Sequence, residues 1–243
     1  MSFKILSFDI GIKNLAYCII EYDKDNKTTK IIKWDIINLL EDEIECLKCC
    51  GILKNNSLCN KNCKKYIIDS CNIKKGYCGT HIKKITHKIY TEKKINANKI
   101  NINILIDKLV KNLDNILLDI NDVDDILIEN QPALKNPKMK TIQIALYMFF
   151  LIREKTDNNN TRISNIIHYS ATNKLKVYNG PIIKPKAKKK YDINKELSII
   201  YTKYMINDEL SFLDFFNNCK KKDDLADCYL QGMYYIYKKF KLL

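Results

Sequence analysis

Apolar positions along this chain come in short runs with two different rhythms. Residues 3–9, FKILSFD, are apolar on both faces and end on an acid. Gly11 breaks the run, and Leu15 to Tyr22 (LAYCIIEY) resumes it. Residues 23–28 (DKDNKT) have turn composition, and Lys30 to Ile37 reads as a third strand. Three short β-rich runs joined by turns predict an antiparallel meander. Further on, Ile102, Leu105, Leu109, Leu113, Ile116 and Leu117 recur at helical spacing within 101–120. Asp124 to Glu129 (DDILIE) is a strand that again ends on an acid, 138–154 an apolar helix, and Ile163 to His168 a short strand. Residues 192–206 and 219–240 predict two more helices. The order βββ–αβ–αβ–αα is that of an α/β fold with a mixed sheet.

Two segments break this pattern. Residues 46–99 carry 13 Lys against two acids, Asp69 and Glu92, and form an inserted basic module. Residues 174–190 carry seven Lys and no acid, with Pro181 and Pro185, and read as a basic loop or edge. The expected organisation is a core of 1–45 with 100–243, interrupted by the module 46–99.

Composition narrows the function classes. The 243 residues suit one large domain with a small insert, and the net charge of +14 points to a polyanionic partner, nucleic acid above all. An apolar content of 46% and 15 tyrosines argue against a disordered basic tail. The longest apolar run, Ile144 to Ile152, has nine residues, too few to span a bilayer. MSFKILSFDIG has no basic n-region followed by a long apolar stretch, so the expectation is an intracellular chain without a membrane partner.

Three acidic positions stand out. Asp9 ends the first strand, and Glu129 ends the ILIE strand ahead of Asn130, Gln131 and Pro132. Asp224 and Asp227 lie three apart in KKDDLADCYLQGMYYIY, beside the apolar stripe Leu225, Tyr229, Met233 and Ile236. Asp223 shares their face as well as Asp224 does, and spacing alone does not choose between them. Several carboxylates at one sheet edge repel unless divalent cations sit among them. Their hard oxygens suit Mg²⁺ or Mn²⁺, and a pair of ions about 4 Å apart serves phosphodiester hydrolysis.

Phe8-Asp9-Ile10-Gly11, Ile128-Glu129-Asn130-Gln131-Pro132 and Asp224-Leu225-Ala226-Asp227 resemble the three acidic motifs of RuvC-like Holliday junction resolvases. The likeness is strongest to the poxvirus and large cytoplasmic DNA virus type, more distant to the fungal mitochondrial resolvase. It implies a ribonuclease H-like fold, with Asp9, Glu129, Asp224 and Asp227 binding two Mg²⁺ ions. It favours Asp224 over Asp223, because the family's final acids are three apart. It implies a structure-selective endonuclease that resolves four-way DNA junctions as a homodimer; the apolar helix 138–154 is a candidate interface or equally a core helix. Tyr169 to Leu175 (YSATNKL) resembles the family segment that places a lysine near the scissile phosphate. That role falls to Lys174 or to one of Lys186, Lys188, Lys189 and Lys190. A viral origin, implied by the same likeness, would place the protein in host cytoplasm or a viral factory. The alternatives are a ribonuclease H-like nuclease acting on flaps, branches or RNA–DNA hybrids, and a non-catalytic zinc-containing DNA-binding protein.

The family members of bacteria and poxviruses lack a cysteine-rich insert. Here Cys46, Cys49, Cys50, Cys59, Cys63, Cys71, Cys78 and His81 cluster within it, at spacings that read as metal rather than disulfide in an intracellular chain. Cys78-Gly79-Thr80-His81 is a tight ligand pair. The pattern resembles small zinc modules in proteins of large DNA viruses, which favours Cys49, Cys59, Cys78 and His81, with Cys50 an alternate for Cys49. A filled four-ligand site implies a structural Zn²⁺. Cys46, Cys63 and Cys71 are then spare or belong to a second site. Cys18, Cys219 and Cys228 sit on apolar elements as core residues, and His87 and His168 read as ordinary surface or core positions.

Overall fold

The computed structural model describes residues 2–40, 47–91, 97–117, 123–134, 136–156 and 163–242. Cys46, Glu92 and the expected helix positions 118–120 lie outside these residues, as does the side chain of Leu117. The chain forms two compact units, Met1–Leu39 with Ile100–Leu243, and Leu40–Lys99.

The first unit is built on a five-stranded mixed sheet flanked by helices. Strands β1 (Ser2–Asp9), β2 (Leu15–Asp23) and β3 (Thr28–Ile37) form the antiparallel meander. Two later strands, β7 (Asp125–Glu129) and β8 (Asn165–Tyr169), add in parallel on the other side of β1, giving the order β3-β2-β1-β7-β8. The central strands are apolar on both faces because both faces are covered. β2 is buried along nearly its whole length, whereas β3 alternates buried and accessible positions as an edge strand does.

Helices supply the cover. Leu105, Leu109, Leu113 and Ile116 of α1 (Ile102–Leu117) are buried, as their spacing predicts. Helix α2 (Pro137–Thr156) starts at Asn136-Pro137, where the Asn136 side chain accepts the Met139 N–H and proline costs no backbone bond. Helices α3 (Lys190–Met205), α4 (Leu210–Asn218) and α5 (Lys222–Lys239) complete the unit. The nine-residue α4 was not expected; its LSFLDFFNN run is too short to declare a helical period.

α5 lies close against β1 and β2. A Cβ on Gly232 would stand 2.9 Å from Ile20 Cδ1 and 3.0 Å from Ile5 Cδ1, so glycine sets this approach. One residue earlier, Gln231 donates to Ser7 Oγ (3.1 Å) and to the Phe8 carbonyl (3.3 Å). These bonds fix the register of α5 on β1. At its far end, Asp125 is wholly buried and accepts from Tyr235 (2.6 Å), Lys239 (2.5 Å) and Asn165 (2.7 Å).

The second unit carries a three-stranded antiparallel sheet in the order β5-β4-β6, from β4 (Lys65–Ile68), β5 (Lys74–Tyr77) and β6 (Tyr90–Thr91). No strand was expected here, because lysine fills most exposed positions and hides any alternation.

Candidate functional site

β1 and β7 run parallel with Phe8 opposite Ile128, so Asp9 and Glu129 leave the same sheet end side by side. Adjacent strands are about 4.8 Å apart, which forces the two carboxylates together. Glu129 Oε2 accepts from Gln131 Nε2 at 2.6 Å and lies 3.5 Å from the Ile10 N–H. The Gln231 bonds to β1 place Asp227, one turn earlier on α5, at this same end. Asp227 Oδ2 meets Lys174 Nζ at 2.5 Å, while its Oδ1 is buried without a hydrogen-bond partner.

The electrostatics record the crowding. Burial pushes the Asp9 carboxyl well above the ordinary range; the charge of Glu129, a hydrogen bond with Glu129 and the charge of Asp227 push the same way, against Lys174. Asp224 is raised by burial and then by Asp223, while Lys221 and Lys195 pull it down. Asp223 is engaged elsewhere. Lys195 of α3 holds it at 2.5 Å and, against the effect of burial, brings its pKa below the usual value. Asp224 has a looser 4.0 Å contact with Lys221. Asp9, Glu129 and Asp227 act on one another, and Asp224 on Asp227, without the four forming a single tight ligand set. Among the described residues, the one group of His, Cys, Asp or Glu with ligand atoms all within 4.8 Å lies in the other unit. An all-oxygen donor set with a buried, unpartnered Asp227 Oδ1 fits a hard divalent cation.

A polar brace that sequence reading missed lies behind Glu129. Gln143 of α2 is fully buried; its Oε1 accepts the Gln131 backbone N–H (2.8 Å) and the Lys140 ammonium (3.2 Å). Its Nε2 donates to His168 Nδ1 at 2.6 Å, and the His168 ring stacks on Tyr147. His168, exposed on its strand, is therefore also part of this brace. A polar residue inside the apolar run TIQIALYMFF was the available signal, as was Gln231 inside CYLQGMYY.

The five lysines divide. Lys174 sits on the 3-10 turn Ala171–Val177, against Asp227. Lys186, Lys188, Lys189 and Lys190 are exposed. Their loop is anchored, because the Glu196 carboxylate accepts the Lys186 N–H (3.0 Å) and the Ala187 N–H (2.9 Å).

In the Leu40–Lys99 unit, Cys49, Cys59, Cys78 and His81 bring their ligand atoms within 4.8 Å of one another. His81 Nδ1 lies 3.4 Å from the Sγ atoms of Cys49 and of Cys78. His81 Nε2 is 3.1 Å from the Ile52 carbonyl, which makes it the N–H donor and leaves the Nδ1 lone pair for a metal. The His81 backbone N–H leads the effects that hold the Cys78 thiol down to about 6, against the opposing effect of burial. Gly51 packs so near His81 that a Cβ would lie 2.2 Å from its Cγ. Three soft sulfurs and an imidazole fit tetrahedral zinc. Cys50 and Cys71 are exposed, and the Cys63 thiol donates to the Leu47 carbonyl at 3.2 Å. Cys18 and Cys228 are buried, Cys219 half-buried and His87 exposed.

A family model described as mitochondrial resolvase Ydc2 / RNA splicing MRS1, catalytic part, matches residues 5–133. An uncharacterized protein of Acanthamoeba polyphaga mimivirus is 31% identical over 96% of this chain and 74% of its own length. Among solved structures, the Fowlpox virus resolvase with substrate Holliday junction DNA is 19% identical, over 97% of this chain and 98% of that one, with a TM-score of 0.48. The yeast mitochondrial Holliday junction resolvase Ydc2 is 16% identical, over 99% and 86%, also with a TM-score of 0.48.

Proposed function

The chain belongs to the family of the mitochondrial resolvase Ydc2 and the RNA-splicing protein MRS1, and from that membership we propose that it is a divalent-metal-dependent endonuclease resolving four-way DNA junctions. The family description pairs a resolvase with a splicing protein, so membership alone does not choose the chemistry. The observation that carries the choice is the meeting of Asp9, Glu129 and Asp227 at one sheet end, with a buried carboxylate oxygen left unpartnered.

In this reading Asp9, Glu129, Asp224 and Asp227 would hold the Mg²⁺ or Mn²⁺, with the last two contributed from α5. Such ions supply Lewis acidity for phosphodiester hydrolysis. Gln131 orients Glu129 by donating to Oε2, and Gln143 and His168 hold Gln131 in place. Lys174 offers its ammonium to the scissile phosphate, while Lys186, Lys188, Lys189 and Lys190 hold a DNA arm through its backbone. The Leu40–Lys99 unit is held by a structural Zn²⁺ on Cys49, Cys59, Cys78 and His81, and its lysines add phosphate contacts.

Symmetric cutting of two strands calls for two sites related by a two-fold axis. Ile144, Met148 and Ile152 form an exposed apolar stripe on α2, which supports a homodimer through that helix. No helix among the described residues is long and apolar enough to cross a membrane. The viral relative supports action where viral DNA is replicated, in host cytoplasm or a viral factory.

The test is purified protein with Mg²⁺, an end-labelled mobile four-way junction, and a linear duplex of the same sequence. Paired symmetric nicks in the junction alone, lost in Asp9→Asn with binding retained, are expected. Tight junction binding without cleavage in either Mg²⁺ or Mn²⁺ would overturn the enzymatic reading. It would favour the binding-protein alternative.

A further inference from the structure

In the cysteine–histidine unit, residues 47–63 form an antiparallel ribbon. It is stitched by Cys49 N–H to the Lys61 carbonyl (2.9 Å), Cys59 N–H to the Gly51 carbonyl (2.8 Å) and Leu53 N–H to the Ser57 carbonyl (2.9 Å). Asn56, with φ of 60°, closes the turn. The ribbon is anchored at its base. Cys49 and Cys59, one on each strand, belong to the metal-ligand cluster, and the Ile52 carbonyl meets His81 Nε2.

Beyond that anchor, Ile52 pairs with Leu58. Their position between two backbone hydrogen-bonded pairs makes them a non-hydrogen-bonded pair, the type that brings facing side chains closest on one face. Both are exposed, Ile52 at 65% and Leu58 at 58%. Leu53 follows on the opposite face at 40%. Such a pair has the makings of either a protein contact or a nucleic-acid wedge. Charge decides between them. Residues 46–99 carry 13 Lys against Asp69 and Glu92, and Asp69 is held by Lys75 at 3.1 Å. Lys48, Lys54 and Lys61 lie on the ribbon itself. An apolar tip on a ribbon of cations complements a polyanion with an apolar interior, which is a stack of bases between phosphates.

We propose that Ile52 and Leu58 form a wedge that enters the base stack at the branch point of the DNA, while the ribbon lysines hold the flanking phosphates. The proposal rests on branched DNA being the substrate. Apolar side chains that part a base step must offset an unstacking cost of a few kcal/mol. A branch point already interrupts the stack, so insertion costs least there. The ligand cluster at the base of the ribbon keeps the tip from folding back as it enters.

The experiment uses the zinc-loaded full chain with Ca²⁺ in place of Mg²⁺, and a four-way junction carrying 2-aminopurine beside the branch. A linear duplex with the same label is the reference. Binding of the unaltered protein is expected to raise 2-aminopurine fluorescence on the junction. In Ile52→Ser/Leu58→Ser the rise should fall to the duplex level, with zinc content and the salt dependence of binding unchanged. Leu53→Ser, on the other face, should keep the full rise. Leu58→Trp, which enlarges the tip, should keep or increase it and guards against misfolding of the double variant. An undiminished rise in the zinc-loaded double variant overturns the wedge, as does junction-selective binding by the unaltered protein with no rise at all. A change of oligomeric state on mutating the pair overturns it too, in favour of a protein contact. Failure of the unaltered protein to prefer junction over duplex would instead overturn the substrate reading beneath it.

Discussion

The two candidate metal centres are assembled in opposite ways. Cys49, Cys59, Cys78 and His81 come from one short stretch and gather through local turns and a ribbon. Asp9, Glu129 and Asp227 come from the two ends and the middle of the chain, and meet because a parallel register and a helix-to-strand clamp bring them there. The first cluster sits in a unit with few buried apolar residues among those described, so a metal on its ligands would supply its stability. The second sits on a large core that stands without it, and its carboxylates oppose the fold that gathers them. On the proposed reading a metal would be structural in one place and compensatory in the other.

The largest test of that contrast is zinc removal. Chelation should unfold the Leu40–Lys99 unit, since zinc-dependent modules of this size draw about 10–16 kcal/mol from the metal. Amide exchange should lose protection across 47–91 while β1, β2 and α5 keep theirs; retained protection in 47–91 would make the metal dispensable there.

Asp9→Asn comes next. Cleavage should fall on the order of a thousandfold, about 4 kcal/mol of barrier, in single-turnover assays with Mg²⁺. Stability should move the other way. The Asp9 pKa is raised in the folded state, so ionisation works against folding. Metal-free protein should lose stability as pH rises from about 4 toward the raised value. Asp9→Asn removes that loss, and the metal-free variant should melt higher than the parent at neutral pH.

Asp125→Asn offers the counterpart, a carboxylate that supports the fold. Burial raises its pKa, but Lys239, Tyr235 and Asn165 together outweigh this and hold it below the usual value. Its contribution is therefore present at neutral pH and lost as pH falls through the lowered value. The substitution should cost about 3 kcal/mol in urea unfolding at neutral pH and flatten the acid limb. The smallest effect is expected from Gln143→Leu, which frees the Gln131 backbone N–H. Cleavage should drop about tenfold, and a higher Mg²⁺ concentration should be needed for half-maximal rate, as for other residues that orient a metal ligand. An unchanged Mg²⁺ requirement would reduce Gln143 to packing.

Much of this was legible because it is written locally. The alternating and continuous apolar runs announced the meander and the later strands, and the helical stripe of α1 lies buried where its spacing put it. The short cysteine spacings, with their likeness to small viral zinc modules, led to the four residues that the fold gathers. What the sequence did not disclose depends on partners far along the chain. Nothing near Asp223 says that Lys195 engages it, and spacing left it level with Asp224. Nothing near Gln143 says that its carbonyl meets the Gln131 N–H across the site. Strands β4 to β6 were missed because lysine erases their apolar alternation.

The clamp between Gln231 and Ser7 joins residues 224 positions apart. At a synthesis rate of about 5–20 residues per second, Ser7 is made about 11–45 seconds before its clamping partner. Through that interval the apolar face later covered by α5 has no cover, and Asp9 at the end of β1 has no Asp227 beside it. Molecules translated only as far as β7 therefore contain Asp9 and Glu129 without Asp227, so the proposed site is completed only once α5 is made. On the proposed nuclease reading a nascent chain is in effect unarmed until α5 is in place, and the same delay leaves the α5-facing surface of β1 and β2 bare.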